Sequence, residues 1–376
     1  MKRLPAFFLA FILCGCRATT EVREIRSRVS ARLERIAVAA DGRGFIETES
    51  NRPFRPWGMN YGNTGRLMED FGDVDWKTFA GDFRELKALG ATVVRVHLQF
   101  AKFMDAADRP NAGALRQFQR MLKLADETGL YLDVTGLACY RPEDTPAWYD
   151  ALNEPGRWTA QAKFWEAVAT VGAASPAVFC YDLMNEPVSP AERRKPGQWR
   201  SGHLLGGYDF IQYIALDPAG RAREEIARQW IERMAVAIPR HDTNALITVG
   251  LLPWSRQWKH LSGFAPDKIV PQLDFISVHI YPDKTRPDEA MESLRVCAVG
   301  KPVVIEETFP LTCDVPQLEA FLRASREVAC GWIGHYDGQT PEELDALDCN
   351  GRLTMTQAVY REWLRMFVRL KREFSP

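Results

Sequence analysis

The chain has 376 residues, 46% of them hydrophobic, and 48 Lys and Arg against 49 Asp and Glu give it a formal net charge of -1. That apolar content suffices for a large core, while the near-zero charge offers no field to draw in nucleic acid. The length admits two or three domains, or one α/β barrel with long loops, because such barrels commonly use about 250 residues or more as a single domain.

The first residues read MKRLPAFFLAFILCGCR, with Lys2 and Arg3 ahead of an apolar run from Leu4 to Leu13. A membrane-spanning helix needs about 20 apolar residues, so this run reads as the core of an export signal. It ends in Leu13-Cys14-Gly15-Cys16, a pattern like the bacterial lipobox, which makes Cys16 the expected lipidation site; ordinary signal cleavage nearby is the alternative. Residues 1–16 are then a signal peptide, and the exported protein is a membrane-anchored lipoprotein of the periplasm or cell surface. Over residues 17–41, Val22, Ile25, Val29, Leu33 and Ile36 recur at helical spacing among Arg and Glu, as in a charged helical linker or a solvated tether. Residues 42–376 form the folded domain, expected as a monomer.

Beyond the linker, β-like apolar runs alternate with helical patterns. The strand candidates start at Phe54 (FRPWGMN), Thr92 (TVVRVHL), Leu130 (LYLDVT), Ala177 (AVFCYDLMNE), Ala245 (ALITVG), Leu273 (LDFISVHIY), Pro302 (PVVIEE) and Cys330 (CGWIGHY). Helical stretches separate most of them: Trp76 to Leu89, Ala114 to Thr128, Gln161 to Val171, Ala222 to Ile238, Ala290 to Val296 and Val315 to Val328; one more runs from Thr354 to Lys371. This alternation implies right-handed βαβ units and a parallel sheet, either a closed (β/α)₈ TIM barrel with long loops on its C-terminal face or a doubly wound open sheet. Most runs end in polar or aromatic groups: Asn60, Arg95 and His97, Asn185 and Glu186, His279 and Tyr281, Glu306 and Glu307, His335 and Tyr336. A barrel would gather these ends on one face, where active sites are built, and that favours the barrel.

Tyr-Asp-x-x-Asn-Glu-Pro occurs twice, from Tyr149 and from Tyr181. The second copy closes a buried-strand run and leaves Asn185 and Glu186 at its exit. The first lies between turn signals, which places Glu154 in the loop after strand three. Among the cysteines, Cys180 and Cys330 sit in strand-like runs, while Cys313 and Cys349 are the pair best placed for a disulfide. No CxxC or Cys/His cluster has zinc spacing, so neither metal nor other cofactor is expected.

Taken in order, RPFRPWGMNYG, ATVVRVHL, YDLMNEP, DFISVHIYP and KPVVIEETF resemble glycoside hydrolase family 5, of the clan of retaining (β/α)₈ glycosidases, over most of the chain. The resemblance implies Glu186 as acid/base and Glu307 as nucleophile, with Arg95, Asn185, His279 and Tyr281 around the sugar. It implies cleavage of a β-linked poly- or oligosaccharide; the alternative is a glycan-binding lipoprotein without catalysis. Two departures touch the sugar subsite: strand three, LDVTGLACY, lacks the usual His, and in strand eight His335 or Tyr336 stands in place of the usual Trp. Strict alternation sends Glu306 and Glu307 to opposite faces, and the resemblance puts Glu307 inside and Glu306 in an ion pair behind the sheet. Arg95 near Glu307 would favour its ionised form, and the charge of Glu307 would keep Glu186 protonated. His97 shares the face of Arg95 and reads equally as a substrate contact or a core histidine. Trp57, Tyr61, Trp199, Trp254 and Trp258 are candidate platforms for sugar rings, and the long loop from Pro187 to about Gly220 a candidate lid.

Overall fold

The computed structural model describes residues 32–63, 75–202, 207–255 and 261–374. Cys16, most of the linker and Trp258 lie outside them. Eight parallel strands close on themselves in chain order: Trp57–Gly62, Val93–Gln99, Tyr131–Ala138, Val178–Asn185, Leu246–Leu251, Ile276–His279, Val303–Glu307 and Gly331–Asp337. They are called barrel strands one to eight below. Strand eight pairs with strand one from Trp332↔Trp57 to Asp337↔Gly62, which removes both edges and excludes the open sheet. Parallel neighbours need crossovers, supplied chiefly by helices Trp76–Ala88, Ala112–Thr128, Glu154–Gly172, Arg223–Ala237, Pro287–Val296 and Val315–Ser325; Met355–Phe374 closes the ring. No helix among the described residues is long and apolar enough to cross a membrane.

The first Asn-Glu-Pro begins a helix. Asn153 caps Glu154–Gly172 by accepting from the Gly156 N–H at 3.0 Å, and Pro155 sits in the first turn, where its missing N–H costs nothing. Apolar periodicity from Gln161 onward located only the rest of this helix, because its first buried residue is a charged one, Arg157. Glu154 pairs with Arg221 on the outside of the barrel, at 2.8 Å, so it belongs to a crossover helix and not to the loop after strand three.

The compact unit starts at Leu33, earlier than residue 42. Strand Ile36–Val38 pairs with Phe45–Glu47, which pairs with Pro53–Phe54, so Ile36 ends in a β-ribbon and not in the linker helix. The ribbon plugs the N-terminal end of the barrel: Phe45 meets Phe179 and Phe275 edge-on, both at 5.2 Å. Val93, Tyr131, Leu246, Val304 and Ile333 complete this apolar floor. Alternation along the strands then puts Arg95, Asp133, Thr248, Ser277, Glu306 and His335 one step higher on the same inward face. The interior is thus an oil-sealed base beneath a polar centre. All six cysteines after Cys16 are free thiols, and Cys313 and Cys349 form no bond.

Candidate active site

Two irregularities in strand register build the upper layer. Between strands six and seven the pairing shifts after Val278, so that His279 faces Glu307. This bulge breaks strict alternation and brings both Glu306 and Glu307 into the barrel, correcting the expectation that Glu306 lies behind the sheet. Between strands four and five the register shifts again, and Glu186 leaves strand four at φ 45°, a left-handed conformation that costs a β-carbon-bearing residue energy and clusters at functional sites. Its N–H is tied to the Gly250 carbonyl at 2.8 Å, so the carboxyl turns over the barrel mouth.

Carboxyl oxygens of Glu186 and Glu307 lie within 4.8 Å of each other and of a ring nitrogen of His279. Arg95, wholly buried, ties the layers together: Nη1 donates to Glu307 at 2.6 Å and to Asn60 at 2.9 Å, and Nη2 to Asp182 at 2.8 Å and to Asn185 at 3.1 Å. Tyr281 donates its hydroxyl proton to Glu307 at 2.6 Å. Nδ1 of His279 faces Glu186 at 3.0 Å and Glu307 at 3.6 Å, while Nε2 faces Glu306 at 3.3 Å. Gly250 makes this crowding possible, because a β-carbon there would come within 2.9 Å of His279 Nε2 and 3.0 Å of both Arg95 Nη2 and Glu306 Oε2.

The two carboxyls are driven apart in acidity. Burial alone would raise Glu307, but His279 and Arg95 override it and hold it well below the usual carboxylate range. For Glu186 burial is the largest effect and raises it, with the charge of Glu307 adding and His279 opposing. Burial would deprotonate His279, yet Glu307, Glu186 and Glu306 push it up to about 10, so it is an imidazolium at neutral pH. His97 and His335 are pushed down, chiefly by burial, and are neutral. A carboxyl held ionised beside one that is made to keep its proton more tightly is the equipment for nucleophilic attack combined with proton donation.

The structure brings together Glu186, Glu307, Arg95, Asn185, His279 and Tyr281, and adds His335, whose Nε2 lies 3.0 Å from the Tyr281 hydroxyl. His335 takes the inward place in strand eight; Tyr336 faces outward, bonded to Glu85, and Trp332 packs against Trp57. His97 is buried, with Nδ1 at 2.6 Å from the Tyr140 hydroxyl. Trp57 is not at the site. It begins strand one at the opposite end of the barrel and points outward, stacked on Phe367 at 4.5 Å, because position 57 has the parity that faces the helices. Tyr61 shares that outward parity and donates to Asp82 at 2.7 Å. Trp199 is buried against the Arg157 guanidinium, 4.3 Å away. Trp254, on the loop after strand five, lines a groove of about 920 Å³ with Arg286, Glu289 and Val296, a lining that includes neither Glu186 nor Glu307. The segment from Pro187 is a folded wall: Pro187–Val188 pairs with Gln212–Tyr213, and the Asn185 amide donates to the Phe210 carbonyl at 3.1 Å.

Sequence reasoning missed Asp133, Asp182 and Glu306 as interior groups. The signal was a lone acid in each apolar strand run, LYLDVT and FCYDLM, since buried charges require partners. Glu186, His279 and Glu307, and separately Asp133, Asp182 and Glu306, have the spacing of metal ligands. Each set already contains or touches a cation of the protein's own, the His279 imidazolium above and the Arg95 guanidinium below.

A family model, Cellulase (glycosyl hydrolase family 5), matches residues 52–309. Mannan endo-1,4-beta-mannosidase 7 of Arabidopsis thaliana is 29% identical over 129 residues, 31% of this chain and 23% of the plant protein. The exo-beta-1,4-mannosidase Op5Man5 from Opitutaceae bacterium strain TAV5 superposes with TM-score 0.64 at 18% identity, over 90% of this chain and 62% of that one. The beta-1,4-mannanase of the sea hare Aplysia kurodai superposes with TM-score 0.61 at 15% identity, over 91% and 98%. The chain therefore spans under a quarter of the plant relative and under two thirds of the bacterial one. The structural likenesses establish a shared barrel, and the family match, running from the ribbon before strand one to the residues just after Glu307, takes in seven of the eight barrel strands, among them both that lead to this carboxyl pair: the chain belongs to glycosyl hydrolase family 5.

Proposed function

We propose that the protein hydrolyses β-linked mannose-containing poly- or oligosaccharides with retention of configuration. The observation that carries this reading is the Glu186–Glu307 pair, within 4.8 Å and pushed in opposite directions in acidity, Glu186 up and Glu307 down. Retaining glycosidases hold their carboxyls about 5 to 5.5 Å apart, whereas inverting ones leave about 6.5 Å or more for a water. Glu307 attacks the anomeric carbon and forms a glycosyl ester as Glu186 gives its proton to the departing glycosidic oxygen. Glu186, now a carboxylate, takes a proton from water, which attacks the same carbon and frees Glu307. Arg95 and Tyr281 hold Glu307 ionised and aimed, and the second amide hydrogen of Asn185 is left for the sugar 2-hydroxyl. The mannose preference rests on the names of the relatives, which include both an exo-mannosidase and endo-mannanases.

A substrate panel tests the reading: β-mannan, β-glucan, xylan, mannobiose and aryl β-glycosides with the purified domain. Release of mannose or manno-oligosaccharides supports it; inactivity on every mannoside with turnover of another β-glycan would replace the sugar, and inactivity on all would remove catalysis. The lipid anchor at Cys16 is part of the same proposal, since the several acyl chains of a bacterial lipoprotein would hold the enzyme firmly at a membrane where a single chain would not.

A further inference from the structure

Beneath the reacting carboxyls lies a second acidic group that the reaction does not consume. Carboxyl oxygens of Asp133, Asp182 and Glu306 lie within 4.8 Å of one another, and all three side chains are completely buried. Their supply of hydrogen-bond donors is unequal. Asp182 receives three: Arg95 Nη2 at 2.8 Å, Thr135 Oγ1 at 2.7 Å and the Gly250 N–H at 2.7 Å. Glu306 Oε2 faces Arg95 Nη2 at 3.5 Å and His279 Nε2 at 3.3 Å. Both oxygens of Asp133 and Oε1 of Glu306 receive no N–H or O–H from a nitrogen or hydroxyl of the described protein. The Asp133 and Glu306 carboxyls lie within 4.8 Å of each other, and three of their four oxygens receive no donor nitrogen or hydroxyl. Two bare carboxylates in a dry interior repel, and the approach becomes a bond only with a proton between them.

The buried column is also short of positive charge. Asp133, Asp182, Glu186, Glu306 and Glu307 are five acids, and Arg95 and the His279 imidazolium are the two cations beside them; Cys180, His97 and His335 are neutral neighbours. One proton on Glu186 and one on the lower acids reduce the imbalance from three negative charges to one. Asp182 already has three donors, whereas Asp133 has only the weak Cys180 thiol beside it and gains most from the second proton.

We propose that Asp133 carries a proton that it donates to Glu306 Oε1, and that this pair is a positioning element: it keeps the other Glu306 oxygen anionic against His279 Nε2, and so holds the imidazolium against Glu186. Asp133 touches no substrate; it acts through Glu306 and His279. Only the kinetic part of the test rests on the glycosidase reading.

Infrared spectroscopy reads the proton without activity. At neutral pH the spectrum of wild type minus Asp133→Asn should show a carboxylic-acid C=O band, lost with the substitution; its absence overturns the proposal. The kinetic arm compares three variants. Glu306→Gln removes the anion beside His279, and Asp133→Leu leaves Glu306 without its donor and drives it to take a proton; in both, His279 holds its charge less firmly. Since that charge lowers Glu186, the acid/base should keep its proton to higher pH, and the basic limb of kcat/KM should move up by on the order of one unit. Asp133→Asn, whose amide can still donate to Glu306, should bring the limb back to its wild-type place. An unmoved limb in Glu306→Gln, or Asp133→Asn shifted as far as Asp133→Leu, refutes the linkage. If Asp133→Leu fails to fold, Glu306→Gln and the infrared difference still decide. A wild-type protein inactive on all β-glycosides would instead refute the glycosidase reading, with the infrared result standing on its own.

Discussion

Replacing Arg95 with Met tests the electrostatic design at its centre. The guanidinium is wholly buried and pairs with Glu307 at 2.6 Å, Asp182 at 2.8 Å and Glu306 at 3.5 Å. Removing one member of a buried ion pair costs about 3 to 5 kcal/mol, because the partner is left charged and unpaired. For a chain longer than 250 residues, where each kcal/mol is worth somewhat less than about 2 to 4 °C, Tm should fall by roughly 5 to 10 °C. The loss must also depend on pH in one direction. Glu307 is depressed in the folded state, so its pairing stabilises the fold above the ordinary carboxylate range and is lost as pH falls through the lowered folded value. The gap in stability between wild type and variant is therefore widest near neutrality and narrows in acid. In activity, Glu307 takes up a proton at higher pH without Arg95, and the acidic limb of kcat/KM should rise by roughly 1 to 3 units. Differential scanning fluorimetry across pH and a pH–rate profile measure both. A variant with wild-type acidic limb and a pH-independent loss of Tm would refute the claim that Arg95 keeps Glu307 ionised.

Other substitutions separate chemistry from scaffold. Glu186→Ala should slow substrates with poor leaving groups by about 10²- to 10⁴-fold, spare glycosylation by activated aryl glycosides and be rescued by azide, while Glu154→Ala, bonded to Arg221 outside the barrel, should keep kcat near wild type. Gly250→Ala should reduce kcat at least tenfold, because its β-carbon would push into His279, Arg95 and Glu306; steady-state kinetics with an unchanged circular dichroism spectrum would show it. Trp57→Ala should lower stability by about 3 to 5 kcal/mol in denaturant unfolding and leave KM unchanged, since the ring packs against Phe367 and Phe374 and not on sugar. Cys16→Ser should shift the protein from the membrane to the soluble fraction on cell fractionation, and a wild type already soluble would end the anchor proposal.

The barrel was legible because buried parallel strands write themselves as apolar runs with polar exits, and every one of the eight runs proved to be a strand. The site was legible where one residue type ends a strand: Glu186, His279 and Glu307 sit where their runs stop. What stayed hidden depends on register. The bulge at Glu306 in strand seven turns Glu306 and Glu307 to the same side, and no local pattern announces a one-residue slip. Trp57 was misplaced because an aromatic near a loop gives no sign of which end of the barrel it occupies. Glu154 was concealed by Arg157, whose buried charge hides the start of a helix that Asn153 and Pro155 mark clearly once capping is considered.

In the proposed retaining reaction Glu307 becomes covalently bonded to the sugar. A 2-deoxy-2-fluoro-β-mannosyl donor with a good leaving group should inactivate the protein with time and add one sugar to its mass, and peptide mapping should place that sugar on Glu307. Proton NMR of early hydrolysis products should then show the β-anomer first. Label on Glu306 or Glu186, or an α-anomer as the first product, would contradict the assignment.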